Sequence, residues 1–270
     1  VSTTCLLIVG VVDDKYDISF KVRLFVQALI AGFLIYFGER SLHNLGELFG
    51  DNTIIMPEVL SYIVTIFAVI GAINAFNMVD GIDGLLGALA TVTFGSLGLL
   101  FYQHGDYHNA GLCALLISSM LPYIILNLGS RYKVFMGDAG SLVIGFTVVW
   151  LLIEACQLEE KQASIRPVTA LWLIAIPLMD MVAIMIRRVR KGQSPFKPDR
   201  EHLHHICQRL GLSARSSLLL ISCCAAAMAG IGIWADLNNV SESIMLFSFL
   251  TLFVIYLLMI SYIWKVVTFI

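Results

Sequence analysis

Long apolar runs, broken at intervals by short polar stretches, set the character of this chain. Runs of spanning length fall at about Phe20–Phe37, Leu60–Phe76, Leu85–Tyr102, Ala110–Leu128, Ser141–Glu154, Val168–Ile186, Ser217–Trp234 and Ile244–Trp264. A bilayer's hydrocarbon core takes roughly 20 helical residues to cross. Backbone groups in lipid must pair within their own segment, and the two-residue alternation of barrel strands is absent, so the runs predict helices. The expected fold class is all-α, a polytopic transmembrane helical bundle forming one membrane-embedded domain over residues 1–270. A shorter apolar run at Val1–Val12 predicts that the chain begins inside a helix. It carries no basic leader followed by a small-residue cleavage site, so further helices are expected upstream.

Composition agrees with the pattern: 59% of the 270 residues are hydrophobic and 13% charged, about half the usual charge content. Nucleic acid is not an expected partner of so apolar a chain. The six cysteines form no CxxC pair and mostly lie in apolar runs, so they read as packing residues. Threading the chain back and forth places 14 of the 17 basic residues on one face, with only Arg40, Lys161 and Arg166 on the other. The positive-inside rule makes the crowded face cytoplasmic.

Acids collect on that same face. They occur as Asp13 and Asp14 in "GVVDDKYD", Asp80 and Asp83 in "NMVDGIDG", and Asp138 in "VFMGDAGSL". Solvated loop acids are the ordinary reading of any one of them. Five aspartates at three hairpin ends, with Asp80, Asp83 and Asp138 beside glycine, instead suggest a shared cation. If Asp80 and Asp83 lay on a helix, their spacing would put both on one side, where they repel unless a cation is shared. Hard oxygen donors from several helices suit Mg²⁺ or Mn²⁺ bridging a phosphorylated substrate. Gly81, Gly84, Gly137 and Gly140 would let an anion approach backbone N–H groups, or simply let helices pack closely.

The longest polar loop, "RRVRKGQSPFKPDREHLHHICQRLGLSAR", gathers Arg188, Arg200, His202, His204 and His205. Its prolines exclude a continuous helix through the first part. Such a cluster beside carboxylates can bind zinc, but without cysteine pairs and with many arginines it suits a phosphate or diphosphate better.

With "GVVDD", "NAFNMVDGIDGL", "VFMGDAGSL" and "SPFKPDREHLHH" in this order on one face, the sequence resembles the polyprenyl-phosphate N-acetylhexosamine-1-phosphate transferases, which are polytopic membrane enzymes. "DREHLHH" looks like the branch using UDP-N-acetylglucosamine, whose members begin O-antigen and enterobacterial common antigen lipids. The resemblance implies transfer of GlcNAc-1-phosphate from UDP-GlcNAc to undecaprenyl phosphate, with UMP released, at cytoplasmic active-site loops of a bacterial inner membrane. By the same resemblance, Asp138 is the metal ligand and Phe135 stacks on uracil. Asp80 and Asp83 lie near the metal, diphosphate and nucleoside, Asp13 and Asp14 meet the lipid phosphate, and the His202–His205 loop holds the sugar nucleotide. Many relatives have an asparagine seven residues before that phenylalanine. Here Asn127 is eight residues before Phe135, so no uridine-binding role is carried to it. Expected partners are UDP-GlcNAc, undecaprenyl phosphate and the bilayer, with homo-oligomerisation allowed. The alternatives are another UDP-N-acetylhexosamine as donor, or a cation-coupled transporter. For the transporter, Asp180 inside an apolar run is the best feature, although an edge ion pair with Arg187 and Arg188 accounts for it more simply.

Overall fold

A computed structural model describes residues 1–50, 52–129, 131–157, 163–195 and 202–267, with side chains as far as residue 262. Eleven helices are present among them: α1 Ser2–Tyr16, α2 Phe20–Gly38, α3 Glu58–Met78, α4 Leu85–Gln103, α5 Tyr107–Asn127, α6 Gly137–Cys156, α7 Pro167–Leu173, α8 Ala175–Arg190, α9 Leu203–Arg209, α10 Ala214–Leu237 and α11 Glu242–Val267. Seven are long and apolar enough to cross a membrane, or eight spans if the bent pair α7–α8 is counted as one. The protein is therefore an all-helical, multi-pass membrane protein. A lone bridge between Asn44 and Ile55 is the only strand-like pairing among the described residues.

Burial ranks the helices. Within their most apolar windows α6 is 67% buried and α4 56%, against 17% for α5 and 22% for α2 and α11, so α6 and α4 form the centre and the others present wide apolar faces outward. α3 and α1 pack on α6, and α5 packs on α4. Phe76, Phe94, Leu97 and Phe101 fill one core, and Leu6, Ile73, Leu142 and Phe146 a second beside it. Helices in lipid gain little from the hydrophobic effect and must associate through close packing and polar contacts. Gly145 supplies the first, since a Cβ there would fall 2.7 Å from the Ile73 Cα. Buried Gln27 supplies the second by accepting a 2.7 Å hydrogen bond from Asn74.

The expected span Val168–Ile186 is not one straight helix. It breaks at Ile174 with an 83° bend between α7 and α8. Pro177 is the cause: it has no N–H for the carbonyl four residues back, and its ring clashes with that carbonyl, which belongs to Leu173. The Thr93 hydroxyl donates to the Leu173 oxygen at 3.3 Å, so the break stays satisfied inside protein.

Contacts knit each end of the bundle separately. At one end Arg40 pairs with Glu154 at 2.8 Å, Gln157 binds Asn44 at 2.8 Å, and Arg166 pairs with Asp236 at 2.6 Å. At the other end lie all three aspartate groups and α9. Gly145→Val forces a branched side chain into the Ile73 backbone and should cost about 1–3 kcal/mol. Gly32→Val, at a position with open space, should cost far less, as thermal unfolding in detergent would read.

Candidate active site

Close approach of α1 to α6 builds the first wall. A Cβ on Gly10 would lie 2.2 Å from the Ala139 Cα, so only glycine permits the contact. It brings the next turn of α1, with Asp13 and Asp14, to the start of α6. Asp14 accepts the N–H groups of Asp138 at 2.8 Å and Ala139 at 3.2 Å. α6 has no cap of its own, since Met136 makes no side-chain cap bond. A carboxylate from another helix therefore satisfies its first amides and meets the positive end of its dipole. Gly137 is required beneath it, with φ +65° and a would-be Cβ 2.7 Å from Asp14 Oδ2.

Asp13 is buried and fully engaged, taking Ile18 N–H at 2.9 Å and Arg23 at 2.7 Å. The same Arg23 nitrogen lies 3.7 Å from Asp138 Oδ2. On the far side of Asp138, Asn77 at the end of α3 donates to Oδ1 and also to Ser141 Oγ at 2.8 Å. Asp138 is thus aimed by α1, α2 and α3 together.

Asp80 and Asp83 do not share a helical face. The chain leaves the helix after Met78 and re-enters at Leu85, so both lie in the connecting turn; the glycines at 81 and 84 make a turn the cheaper conformation. Burial pushes the Asp80 carboxyl up to about 6, with Asp138, Asp14 and Asp83 adding to the rise. Asp83 instead pairs with Lys133 at 2.7 Å, and that ammonium also lies 4.9 Å from the ring centre of Phe135. The Phe135 ring is 69% exposed. Asn127 joins these loops by accepting the Gly84 N–H and donating to the Val134 carbonyl at 2.7 Å.

The histidines close the opposite side. A Cβ on Gly81 would fall 2.1 Å from His204 Nε2, so α9 sits directly on the α3–α4 turn. Burial, reinforced by His205 and His202, pushes the His204 imidazole down to about 4, which leaves it neutral near pH 7. It therefore offers a phosphate hydrogen bonding and no charge. The His205 ring lies against it, centroids 4.2 Å apart and tilted by 48°. His202 is buried and bonds Asp180 at 2.9 Å. Arg188 is fully buried and donates to the Pro195 carbonyl at 2.6 Å, so one of its roles is to hold its own loop. Arg200 lies outside the described residues.

Asp13, Asp14, Asp80 and Asp138 are thus brought together, with Asp83, Phe135 and the histidines around them. The sequence reading missed Arg23, Asn77 and Lys133. Arg23 had been counted only as a basic residue on the cytoplasmic face, and Asn77 stood inside a quoted motif.

Among the described residues no three His, Cys, Asp or Glu side chains converge closely enough to hold a metal unaided. The donor set still fits Mg²⁺ or Mn²⁺. Asp80 and Asp138 are crowded carboxylates with incomplete compensation, and Mg²⁺ commonly uses one or two carboxylates with substrate phosphates and water completing the shell.

Residues 1–156 match the model of glycosyl transferase family 4; the chain belongs to that family. It is 52% identical over 269 residues to the undecaprenyl-phosphate alpha-N-acetylglucosaminyl 1-phosphate transferase of Salmonella typhi, covering 98% of this chain and 72% of that protein. The protein of the same name in Escherichia coli (strain K12) is 50% identical with the same coverage. That of Haemophilus influenzae is 47% identical over 265 residues, or 97% of this chain and 74% of the relative. Membership of a transferase family sets the transporter alternative aside.

The Asp80 shift has a definite sign. Its folded-state pKa of about 6 exceeds the ordinary 3.8, so the native state holds an extra proton between those values and loses stability as pH rises through them. In chelator, Asp80→Asn should melt above wild type near pH 7.5, with the gap closing toward about pH 5. Thermal unfolding across pH measures it.

Proposed function

We propose that this protein transfers GlcNAc-1-phosphate from UDP-GlcNAc to undecaprenyl phosphate, releasing UMP and forming undecaprenyl-diphospho-GlcNAc, at the cytoplasmic face of a bacterial inner membrane. The observation that carries this reading is an apolar groove whose lining includes Arg23 and Asn77, the residues that hold Asp13 and Asp138. The groove, about 750 Å³, runs between α2, α3 and α8 past Phe67, Ile70, Met181 and Met185, and Arg23, Asn77 and Arg190 line it too. It shares Phe67, Gly71 and Met181 with a second apolar cavity of about 410 Å³. An isoprenoid chain fits such walls, and its phosphate would meet Arg23, which Asp13 holds in place. The relatives' names specify transfer of N-acetylglucosaminyl 1-phosphate with undecaprenyl phosphate, which supports the acceptor and the transferred group.

Attack by a lipid phosphate oxygen on the β-phosphorus forms the new P–O bond and breaks the bond to the α-phosphate, so UMP leaves with the electron pair. The acceptor phosphate is largely ionised near pH 7, so the work of the protein is to bring anions together and stabilise the leaving charge. Arg23 orients the acceptor. Asp14 fixes the first turn of α6, and through it the Asp138 carboxylate. Phe135 and Lys133 form an exposed edge suited to a uracil ring and its phosphate, and the His202–His205 segment faces them across the Asp80 turn. A divalent cation bound at Asp138 and Asp80 would neutralise diphosphate oxygens.

Purified protein should release UMP from UDP-GlcNAc only when undecaprenyl phosphate and Mg²⁺ or Mn²⁺ are supplied. Asp138→Asn should reduce turnover by roughly 10²- to 10³-fold, a loss typical of a removed transition-state contact, while the unfolding temperature holds. No UMP from wild type, or an Asp138→Asn enzyme with ordinary metal dependence, would sink the proposal. For orientation, cysteines introduced at Asn52 and His108 should label from outside intact cells, and those at Asp17 and Gln193 only after permeabilisation.

A further inference from the structure

Asp180 is a carboxylate in the middle of α8, 2% exposed, where an unmatched charge is expensive. Three donors meet it. His202 Nδ1 lies 2.9 Å from Oδ2, and Oδ1 accepts both the Leu203 N–H at 3.0 Å and the Tyr256 hydroxyl at 2.9 Å. One carboxylate thereby ties α8 to α9 and to α11.

α9 needs this support. It has seven residues and its N-cap, His202, makes no side-chain cap bond; so short a helix is not stable alone. The Leu203 amide is the first of the helix, so Asp180 caps α9 from another element. The bond to His202 Nδ1 also fixes the ring's orientation and, when the imidazole is neutral, leaves Nε2 as the ring acceptor. His202 then lies parallel to His204, at 5.7 Å and 5° between planes, and His204 rests on Gly81 of the Asp80 turn. Tyr256 stands in "LFVIYLLMI", a run otherwise entirely apolar. Phenylalanine would pack there as well, and the hydroxyl's bond is to Asp180.

We propose that Asp180 and Tyr256 are positioning residues for the His202 edge of the sugar-nucleotide site: the phenol on α11 aims the carboxylate, and the carboxylate aims the imidazole. The inference rests on the proposed function, which gives that edge to UDP-GlcNAc.

A double-mutant cycle on the full-length chain tests it, read by steady-state kinetics and by calorimetric binding of UDP-GlcNAc. Loss of the hydroxyl's bond to the carboxylate should lower kcat/KM for UDP-GlcNAc by roughly tenfold or more in Tyr256→Phe. The loss should appear in nucleotide affinity, with the KM for undecaprenyl phosphate unchanged, which a purely structural role for Tyr256 would not predict. In a His202→Ala background the same substitution should cost much less, because the route through the imidazole has been removed and only the Leu203 cap on α9 remains. Asp180→Asn should approach the His202→Ala phenotype. Unaltered kinetics in Tyr256→Phe, or equal losses with and without His202, would make Tyr256 a packing residue and overturn the proposal while wild-type UMP release leaves the functional reading standing. A wild type that neither binds nor turns over UDP-GlcNAc would overturn both.

Discussion

A helix that begins at the edge of a membrane protein presents several amide N–H groups with no partner, and α6 has no side chain of its own to cap them. Asp14 meets that deficit from α1. The bond requires α1 to lie almost backbone to backbone against α6, which Gly10 allows, and requires Gly137 to turn the chain with positive φ beneath the carboxylate. Once it forms, Asp138 projects from the first turn of the most buried helix toward Arg23 and Asn77. The rest of the site is arranged around that fixed point.

Its electrostatics follow from gathering acids faster than bases. Arg23 serves Asp13 and reaches Asp138, and Lys133 serves Asp83, but among the described residues Asp80 pairs with no cation and its carboxyl is pushed up to about 6. Crowded carboxylates of this kind favour ligands that bring positive charge. The histidine side works differently. His204 is held neutral by burial, and His202 is set against Asp180, so that edge suits directional hydrogen bonds.

The bend at Ile174 shapes the apolar groove. A straight helix from Pro167 to Arg190 would leave no reason for α8 to swing against α2 and α3, where its Met181 and Met185 line the groove that ends at Arg23. Methionine's unbranched, adaptable side chain suits the wall of a groove that takes a flexible chain. Pro177 makes the break and Thr93 makes it tolerable, so one imino acid in a lipid-embedded run positions a whole face of the site.

Length and polarity decided the helices, because an apolar run in lipid has one way to satisfy its backbone. Every expected span has a helical counterpart here, and the grouping of Asp13, Asp14, Asp80, Asp83 and Asp138 at one end followed from counting crossings. The histidine segment and Phe135 were legible as motif residues. Other features depended on contacts between positions far apart in the chain, which no local pattern encodes. That Asp14 caps α6 depends on an approach permitted by Gly10, 129 residues before Ala139 in the chain. That Asp80 and Asp83 occupy a turn was open in the sequence, since their spacing fits a helix equally well and the flanking glycines, with α9 packed on Gly81, decided otherwise. Asp180 looked like an edge residue beside arginines, and only the packing of α8 against α9 and α11 revealed a buried carboxylate shared by His202, Leu203 and Tyr256. Sequence determines which segments must be helical because that requirement is met within each segment; which carboxylate meets which donor is decided between segments, by the fold.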